Sequence, residues 1–260
     1  MRTPLTLPAC LAFSILLLAG PAGAQVVPPE TTHVELGWMF WTPTPELALT
    51  FGGSADTSID FVGDLGIEKQ RFKEYRLVVK PTRRHKIRFS RNPIEYEATD
   101  HVLTRAITAN GRRFAANQPL HTLVTWDLYR VGYEWDLIAR RKGFLGVIAD
   151  VKYNKVSATI DGPAGSEATE AKAPVPTIGG IGRGYLGDYL SITAEFTGIR
   201  LTRKDYRGKF YDLDIYTHIN LIKSLAAQIG YRSVTVDYLV DGDTGAMTLE
   251  GPYFGGVVRF

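Results

Sequence analysis

Cysteine is almost absent. Of 260 residues only Cys10 is one, and it lies in the leader-like first stretch. An exported chain with no cysteine beyond residue 24 has no disulfide framework and no thiolate metal site. Long apolar runs are missing too: past that first stretch, nothing approaches the ~20 apolar residues that a membrane-spanning helix needs. Charge of one sign is also lacking. Thirty Lys and Arg stand against 27 Asp and Glu, for a net charge of +3. So small an excess argues against a nucleic-acid partner, which normally needs a concentrated basic face. No solenoid-period repeat and no coiled-coil heptad is present. The run Gly179-Gly180-Ile181-Gly182-Arg183-Gly184 has the glycines of a phosphate loop. It lacks the Lys-Ser/Thr ending and a following helix, so it reads as a curved strand.

What is there begins with an export signal. Arg2 supplies the positive start, Leu11–Leu18 with Phe13 and Ile15 the apolar core, and Ala22-Gly23-Ala24 a small-residue cleavage site before Gln25. Cys10 precedes that apolar core, which argues against a lipidation site. The expected organisation is a signal peptide over 1–24, a Pro-rich flexible lead-in over 25–32, and one domain over 33–260. Arg2 is the leader's only charge, so cleavage lowers the net charge from +3 to +2.

The domain alternates. Between Thr122 and Tyr153 two ribbons meet at the basic turn Ala139-Arg140-Arg141-Lys142-Gly143. Tyr129, Val131, Tyr133, Trp135 and Leu137 share one face of the first, against Arg130, Gly132, Glu134 and Asp136. Leu145, Val147, Ala149, Val151 and Tyr153 share a face of the second, against Asp150 and Lys152. Side chains alternate faces along a strand, so aromatics on one side and ions on the other fit lipid outside and a polar lumen inside. An exported chain that crosses a membrane without apolar helices is left with the closed barrel, since backbone groups in lipid must pair internally.

The same pattern recurs over 34–51, 71–80, 85–107, 112–137, 143–160, 174–185, 189–201, 209–221, 227–239 and 246–260. The expected fold is therefore all-β, an antiparallel up-and-down transmembrane β-barrel of about ten strands. It drops to eight if the first segment or the Gly-rich Pro174–Tyr185 is no strand. Short turns follow Lys80, Leu137, Tyr185 and Leu221. Longer or more polar connections follow Phe51, Ile107, Ile160, Leu201 and Leu239, the alternation of short periplasmic turns and longer external loops. Asn110-Gly111 fits a two-residue hairpin turn, and Asp161–Ala173 reads as a small-residue loop. Ile59–Ile67 offers one helical turn. Its Asp64-Leu65-Gly66 is either a cap over the barrel mouth or, the simpler reading, a helix end stopped by Gly66.

The last ten residues, Gly251-Pro252-Tyr253-Phe254-Gly255-Gly256-Val257-Val258-Arg259-Phe260, resemble the C-terminal signal of bacterial outer-membrane barrels, with Phe254, Val258 and Phe260 in its pattern. Asp64-Leu65-Gly66, Arg84–Phe89, Tyr129–Asp136 and Gly230-Tyr231-Arg232-Ser233 extend the likeness. Together they resemble the small outer-membrane β-barrel proteins of Gram-negative bacteria, a porin-like family. The resemblance implies fold and an outer-membrane location, with barrel-assembly machinery as partner during biogenesis. It brings no catalytic motif.

Candidate sites follow from the faces. Glu35, Glu74, Arg76, Arg88, Arg130, Glu134, Asp150, Lys152, Glu195, Asp212, Asp214, His218, Arg232 and Arg259 fall on lumen faces, where mixed signs favour an ion-pair network. Trp38, Phe40, Tyr129, Tyr133, Trp135, Tyr153 and Phe254 fall on the lipid face or its aromatic belt, with outer-membrane lipid the partner. Asp212, Asp214 and His218 share one strand face and raise the question of water activation or a metal. Same-face neighbours lie about 7 Å apart, which favours a structural network. A lipid hydrolase would need a serine beside a histidine, and His121 has none adjacent among Ser90, Ser157, Ser191 and Ser233.

The expectation is thus a structural or interaction barrel with no cofactor, metal or catalytic group, with a narrow or gated passage for small solutes as its further option. Its rivals are a membrane-embedded hydrolase of lipid or peptide, and a soluble lipocalin-like binder with apolar residues inside. The partner of the external loops is not encoded in any motif.

Overall fold

The computed structural model describes residues 32–50, 58–109, 111–202, 206–240 and 243–260. The expected signal peptide and all but the last residue of the lead-in lie outside the described residues. So do Asn110 and most of the turn expected over 241–243.

Strands β1 (Val34–Trp41) and β2 (Thr44–Thr50) open the chain. After the short β3 (Ile59–Asp60) come β4 (Phe72–Val79) and β5 (His85–Val102). A small hairpin, β6 (Ile107–Ala109) and β7 (Arg112–Phe114), leads to β8 (Pro119–Arg140), β9 (Gly143–Gly162) and β10 (Gly165–Tyr185). The chain ends with β11 (Leu190–Thr202), β12 (Tyr206–Ile222), β13 (Leu225–Val240) and β14 (Asp243–Arg259).

Each long strand pairs antiparallel with its successor, and β14 returns to β1 with Glu35 opposite Arg259 and Trp41 opposite Tyr253. The sheet therefore closes on itself as a ten-strand antiparallel barrel, with β1 and β2 counting as one broken strand. Closure removes the free edges that an open sheet would expose. The break sits at Thr42-Pro43, because proline cannot donate to a ladder. Gly251 stands opposite it, and a Cβ there would come within 2.3 Å of the Thr42 carbonyl oxygen. The start of the described chain meets its C-terminus at the short-turn end of the barrel, where His33 N–H donates to the Phe260 carbonyl at 2.7 Å.

The strands keep one phase along their length, but polarity changes sides partway up. On β8 the inward residues run Leu120, Thr122, Val124, Trp126, Leu128 and then Arg130, Gly132, Glu134, Asp136. The outward ones run His121, Leu123, Thr125, Asp127 and then Tyr129, Val131, Tyr133, Trp135, Leu137. Strand β5 switches between Phe89 and Arg91, and β9 between Tyr153 and Lys155. Toward the short turns the barrel is apolar outside and ionic inside. Toward the long-loop end it is polar outside and apolar inside. The outward apolar band on β8, Tyr129–Leu137, spans about 20–25 Å along the axis at the usual rise and tilt, close to the apolar band of transmembrane barrels.

Four expectations are corrected. Apolar faces do not all point outward: above the band they fill the barrel. Strand β5 stops at Val102 rather than Ile107, and β6–β7 is a separate hairpin. Residues 165–173, expected in a loop, continue β10 and pair with β9 from Gly165↔Gly162 onward, so the connection after β9 shrinks to Pro163-Ala164. Their side chains are mostly exposed on both faces, which removes the alternation that announces a strand. Finally, Asp64-Leu65-Gly66 is more than a stop, as the interior shows.

The closed interior as candidate functional site

Two layers fill the barrel. The layer nearer the short turns is ionic. Glu195 on β11 reaches across the lumen to Arg88 on β5 at 2.6 Å and Arg130 on β8 at 2.5 Å. Arg88 also holds Glu134 at 2.5 Å, Lys86 bridges Glu134 and Asp136 at 2.7 and 3.0 Å, and Arg130 holds Asp150 at 2.5 Å. A second group sits against the first. Asp212 takes Lys152 at 2.8 Å and Arg232 at 2.9 Å, Arg232 reaches Glu74 at 3.0 Å, and Arg76 joins Glu74 and Asp214, both at 2.8 Å. Near the C-terminus Glu35 accepts from Lys80 at 2.8 Å and Arg259 at 3.1 Å. The short β-strand repeat puts these groups at every second position on facing walls, so partners meet across the lumen rather than along one strand. Unpaired charge here would cost several kcal/mol, and pairing with hydrogen bonds offsets that.

Every lumen residue named from the sequence faces this interior. Asp212, Asp214 and His218 do not converge, however. Asp212 belongs to Arg232 and Lys152, Asp214 accepts from the Tyr253 hydroxyl at 2.7 Å, and His218 pairs through Nε2 with Gln228 at 3.0 Å. Among the described residues no group of three acids or histidines is placed to hold a metal. His121 lies outside the barrel wall above the apolar band, 3.8 Å from Glu97 and 3.5 Å from Thr99. The candidate lumen residues named from the sequence left out Lys80, Lys86, Asp136, Arg183 and Tyr253, all of them interior groups. For Lys80, Lys86 and Tyr253 the signal was available, since each is in phase with a neighbour already assigned inward; Asp136 already stood on the ionic face of its ribbon, and Arg183 lies on the Gly-rich strand, where no residue was assigned inward.

Above the ions lies an apolar plug. Ile59, Phe61, Leu65 and Ile67 from the first long loop, with Leu103, Ile107 and Phe114 from the second, pack against Trp41, Trp126, Leu120 and Leu128 of the wall. Asp64 N–H bonds the Asp60 carbonyl at 2.7 Å and Gly66 N–H the Val62 carbonyl at 3.2 Å, a single helix-like turn that points Leu65 inward. Gly66 ends it at φ 70°, and a Cβ would collide with the His101 ring. The two loops are latched together. Arg105 donates through Nε to Asp64 at 2.7 Å, through Nη2 to its other oxygen, and to the Ser58 carbonyl at 2.7 Å. Burial alone would raise the Asp64 carboxyl. The Arg105 bonds and the Asp60 N–H outweigh it and hold the group below the ordinary 3.8.

Aromatic rings meet cations at the seam between layers. Arg232 lies under Trp41 at 5.5 Å and Lys152 under Phe210 at 4.8 Å. Lys152 and Trp41 are both 0% exposed. Two small cavities lie among these groups: one of about 40 Å³ beside Lys86, Arg88, Glu134 and His218, and another of about 20 Å³ beside Arg130 and Asp212. Each has room for a few waters at most. The aromatic residues assigned to the outer belt, Trp38, Tyr129, Tyr133, Trp135, Tyr153 and Phe254, are exposed on the outer wall. Phe40 is half-buried there because its ring packs on Phe254 at 5.6 Å.

Fold and interior together define a closed β-barrel of the outer-membrane class. Among solved structures, the outer membrane protease OmpT from Escherichia coli is similar, with a TM-score of 0.56 at 11% identity over 89% of this chain and 97% of that one. The translocator domain of the autotransporter NalP from Neisseria meningitidis aligns over 89% of this chain and 90% of its own at 10% identity and a TM-score of 0.45. At 11% identity the likeness to the protease is one of fold alone. No protein-family model and no curated protein matches the chain.

Proposed function

We propose that this chain is an outer-membrane protein whose barrel is a sealed anchor for a rigid β-walled rim standing outside the cell, with an interaction role rather than a transport one. The observation that carries the reading is the double filling: an ionic layer and an apolar plug stacked in one lumen, with small cavities among their side chains. The outward band of Trp38, Phe40, Tyr129, Tyr133, Trp135, Tyr153 and Phe254 is where hydrocarbon would sit, by its height and its aromatics. The short turns then face the periplasm. Phe254, Val258 and Phe260 lie on the outer side of the closing strand, in position to be read by assembly machinery before β14 meets β1.

Above the band, β8, β9 and β10 continue for about ten residues each, a wall roughly 25 Å tall. There the outside is water, so polar residues take the outer face and apolar ones form a core like that of a soluble barrel. The plug ties residues 58–67 and the β6–β7 hairpin to that wall, which gives the rim a fixed surface. The test has two parts. Mature protein is expected to fractionate with outer membranes and to migrate faster on gels before boiling than after. Purified protein in planar bilayers is expected to show no steady conductance. Stable pore currents would overturn the sealed reading, and recovery in the soluble periplasmic fraction would overturn the location.

A further inference from the structure

The short-turn rim carries a concentration of cations that the interior network does not use. Turn β4–β5 presents Arg83 and Arg84, and turn β8–β9 presents Arg140, Arg141 and Lys142, all exposed. The two turns are neighbours, because Asp136 N–H donates to the Arg84 carbonyl at 2.8 Å. No ion-pair partner for any of the five appears among the described residues. The nearest other short turn, after β10, adds a single acid, Asp188. The turns are also held in shape. Thr82 Oγ1 accepts the Arg84 and His85 N–H groups at 3.3 and 3.2 Å, and Tyr185 N–H bonds the Lys142 carbonyl at 2.9 Å.

Directly toward the barrel's middle from this patch the wall is built for a membrane interface. His85 stacks on Trp135 at 6.3 Å and on Tyr133 at 5.9 Å, and its Nδ1 bonds the Tyr133 hydroxyl. A β-bulge at Asp136/Ile138 turns the consecutive Leu137 and Ile138 both outward, each 47% exposed. Rings and aliphatic chains therefore end where the five cations begin. That is the order of acyl chain, interface and headgroup.

We propose that this rim is a binding site for anionic phospholipid, with the phosphates of inner-leaflet headgroups held by Arg83, Arg84, Arg140, Arg141 and Lys142. Guanidinium groups suit the task because their paired N–H donors match two phosphate oxygens. The inference rests on the membrane reading above. If the chain enters no bilayer, that reading fails; if it inserts without lipid preference, only this inference does.

Trp135 serves as the reporter. In a Trp38→Phe background it is the lipid-facing tryptophan, since Trp41 and Trp126 are buried. Folded protein is placed in phosphatidylcholine bilayers with a minor fraction of brominated phosphatidylglycerol, and quenching is compared with that by brominated phosphatidylcholine. The anionic lipid is expected to quench more strongly at equal fraction, with the preference shrinking in high salt. Replacing Arg140, Arg141 and Lys142 by Gln, or Arg83 and Arg84 by Gln, is expected to reduce local enrichment by about fivefold for each cation removed. Neutralising Arg91 and Lys209, on the opposite side of the apolar band, should leave it unchanged. Gel mobility before boiling checks that each variant is folded, and the two partial variants stand in if the combined one does not fold. Equal quenching by both lipids, or a preference that survives all five substitutions, would overturn the proposal. So would loss of binding to isolated cell-wall sacculi with lipid preference intact, which would assign the patch to the wall polymer.

Discussion

Glu195 shows what a single side chain does in this barrel. Its strand, β11, is separated from β5 by three others along the sheet, yet its carboxylate holds Arg88 and Arg130 across the lumen. Replacing it by Gln leaves two buried guanidinium groups short of charge. The expected loss is about 3–5 kcal/mol, read as a lower urea midpoint for the folded protein in detergent micelles. Glu170→Gln, on the exposed rim, should not move that midpoint. The Asp64–Arg105 latch acts more locally. The Asp64 carboxyl titrates lower when folded than when free, so its contribution is fully present above pH ~4 and fades as pH falls through the lowered value. Amide exchange in 59–67 and 103–117 should therefore quicken below pH ~4 while the strands stay protected. Asp64→Asn should cost about 1 kcal/mol of that local protection at neutral pH, modest because Arg105 is half in water, and should flatten its acid dependence.

At the scale of the strand, the decisive feature is an unbroken alternation whose meaning reverses at one height. Ala149 and Thr159 lie on the same outer face of β9, one within the apolar band and one above it. Ala149→Arg should destabilise the barrel by about 2–4 kcal/mol, and Thr159→Arg by less than about 1, measured side by side by reversible unfolding from lipid vesicles. Equal costs would mean that the reversal does not mark the membrane edge. The sequence carries this alternation openly, which is why strand number, turn positions and the inward phase of Arg130, Glu134, Asp150, Lys152 and Asp212 could be read from it. The height of the reversal was legible too, in the change from Tyr129 and Val131 to Thr125 and Asp127 on one face. It is overlooked when a single solvent is assumed outside each strand. The ribbon 165–173 gave no such signal, because both of its faces meet water. The plug residues gave none either. Phe61, Leu65 and Leu103 sit in irregular loops and Phe114 ends a three-residue strand, too short or too irregular for a buried apolar side chain to have a period that announces it.

For the whole molecule, the stacking of the two layers has a consequence that neither has alone. On the sealed reading, an ion entering from the long-loop end would have to displace Phe61, Leu65 and Phe114; one entering from the short-turn end would have to part Glu35, Lys80 and Arg259 and then the Arg88–Glu195–Arg130 bridge. Barriers in series are governed by the higher one, so on that reading weakening either layer alone should leave the lumen shut. Phe61→Asp with Leu65→Asp should expel the first loop and expose it to protease, while the barrel keeps its faster gel migration and passes no current. Glu195→Gln with Arg88→Gln should loosen the ionic layer behind an intact plug, again without conductance. Only the four substitutions together should yield discrete openings in a planar bilayer. Currents from either pair alone would show that one layer is the seal and the other merely packing, and the sealed anchor would then be better described as a pore with a single gate.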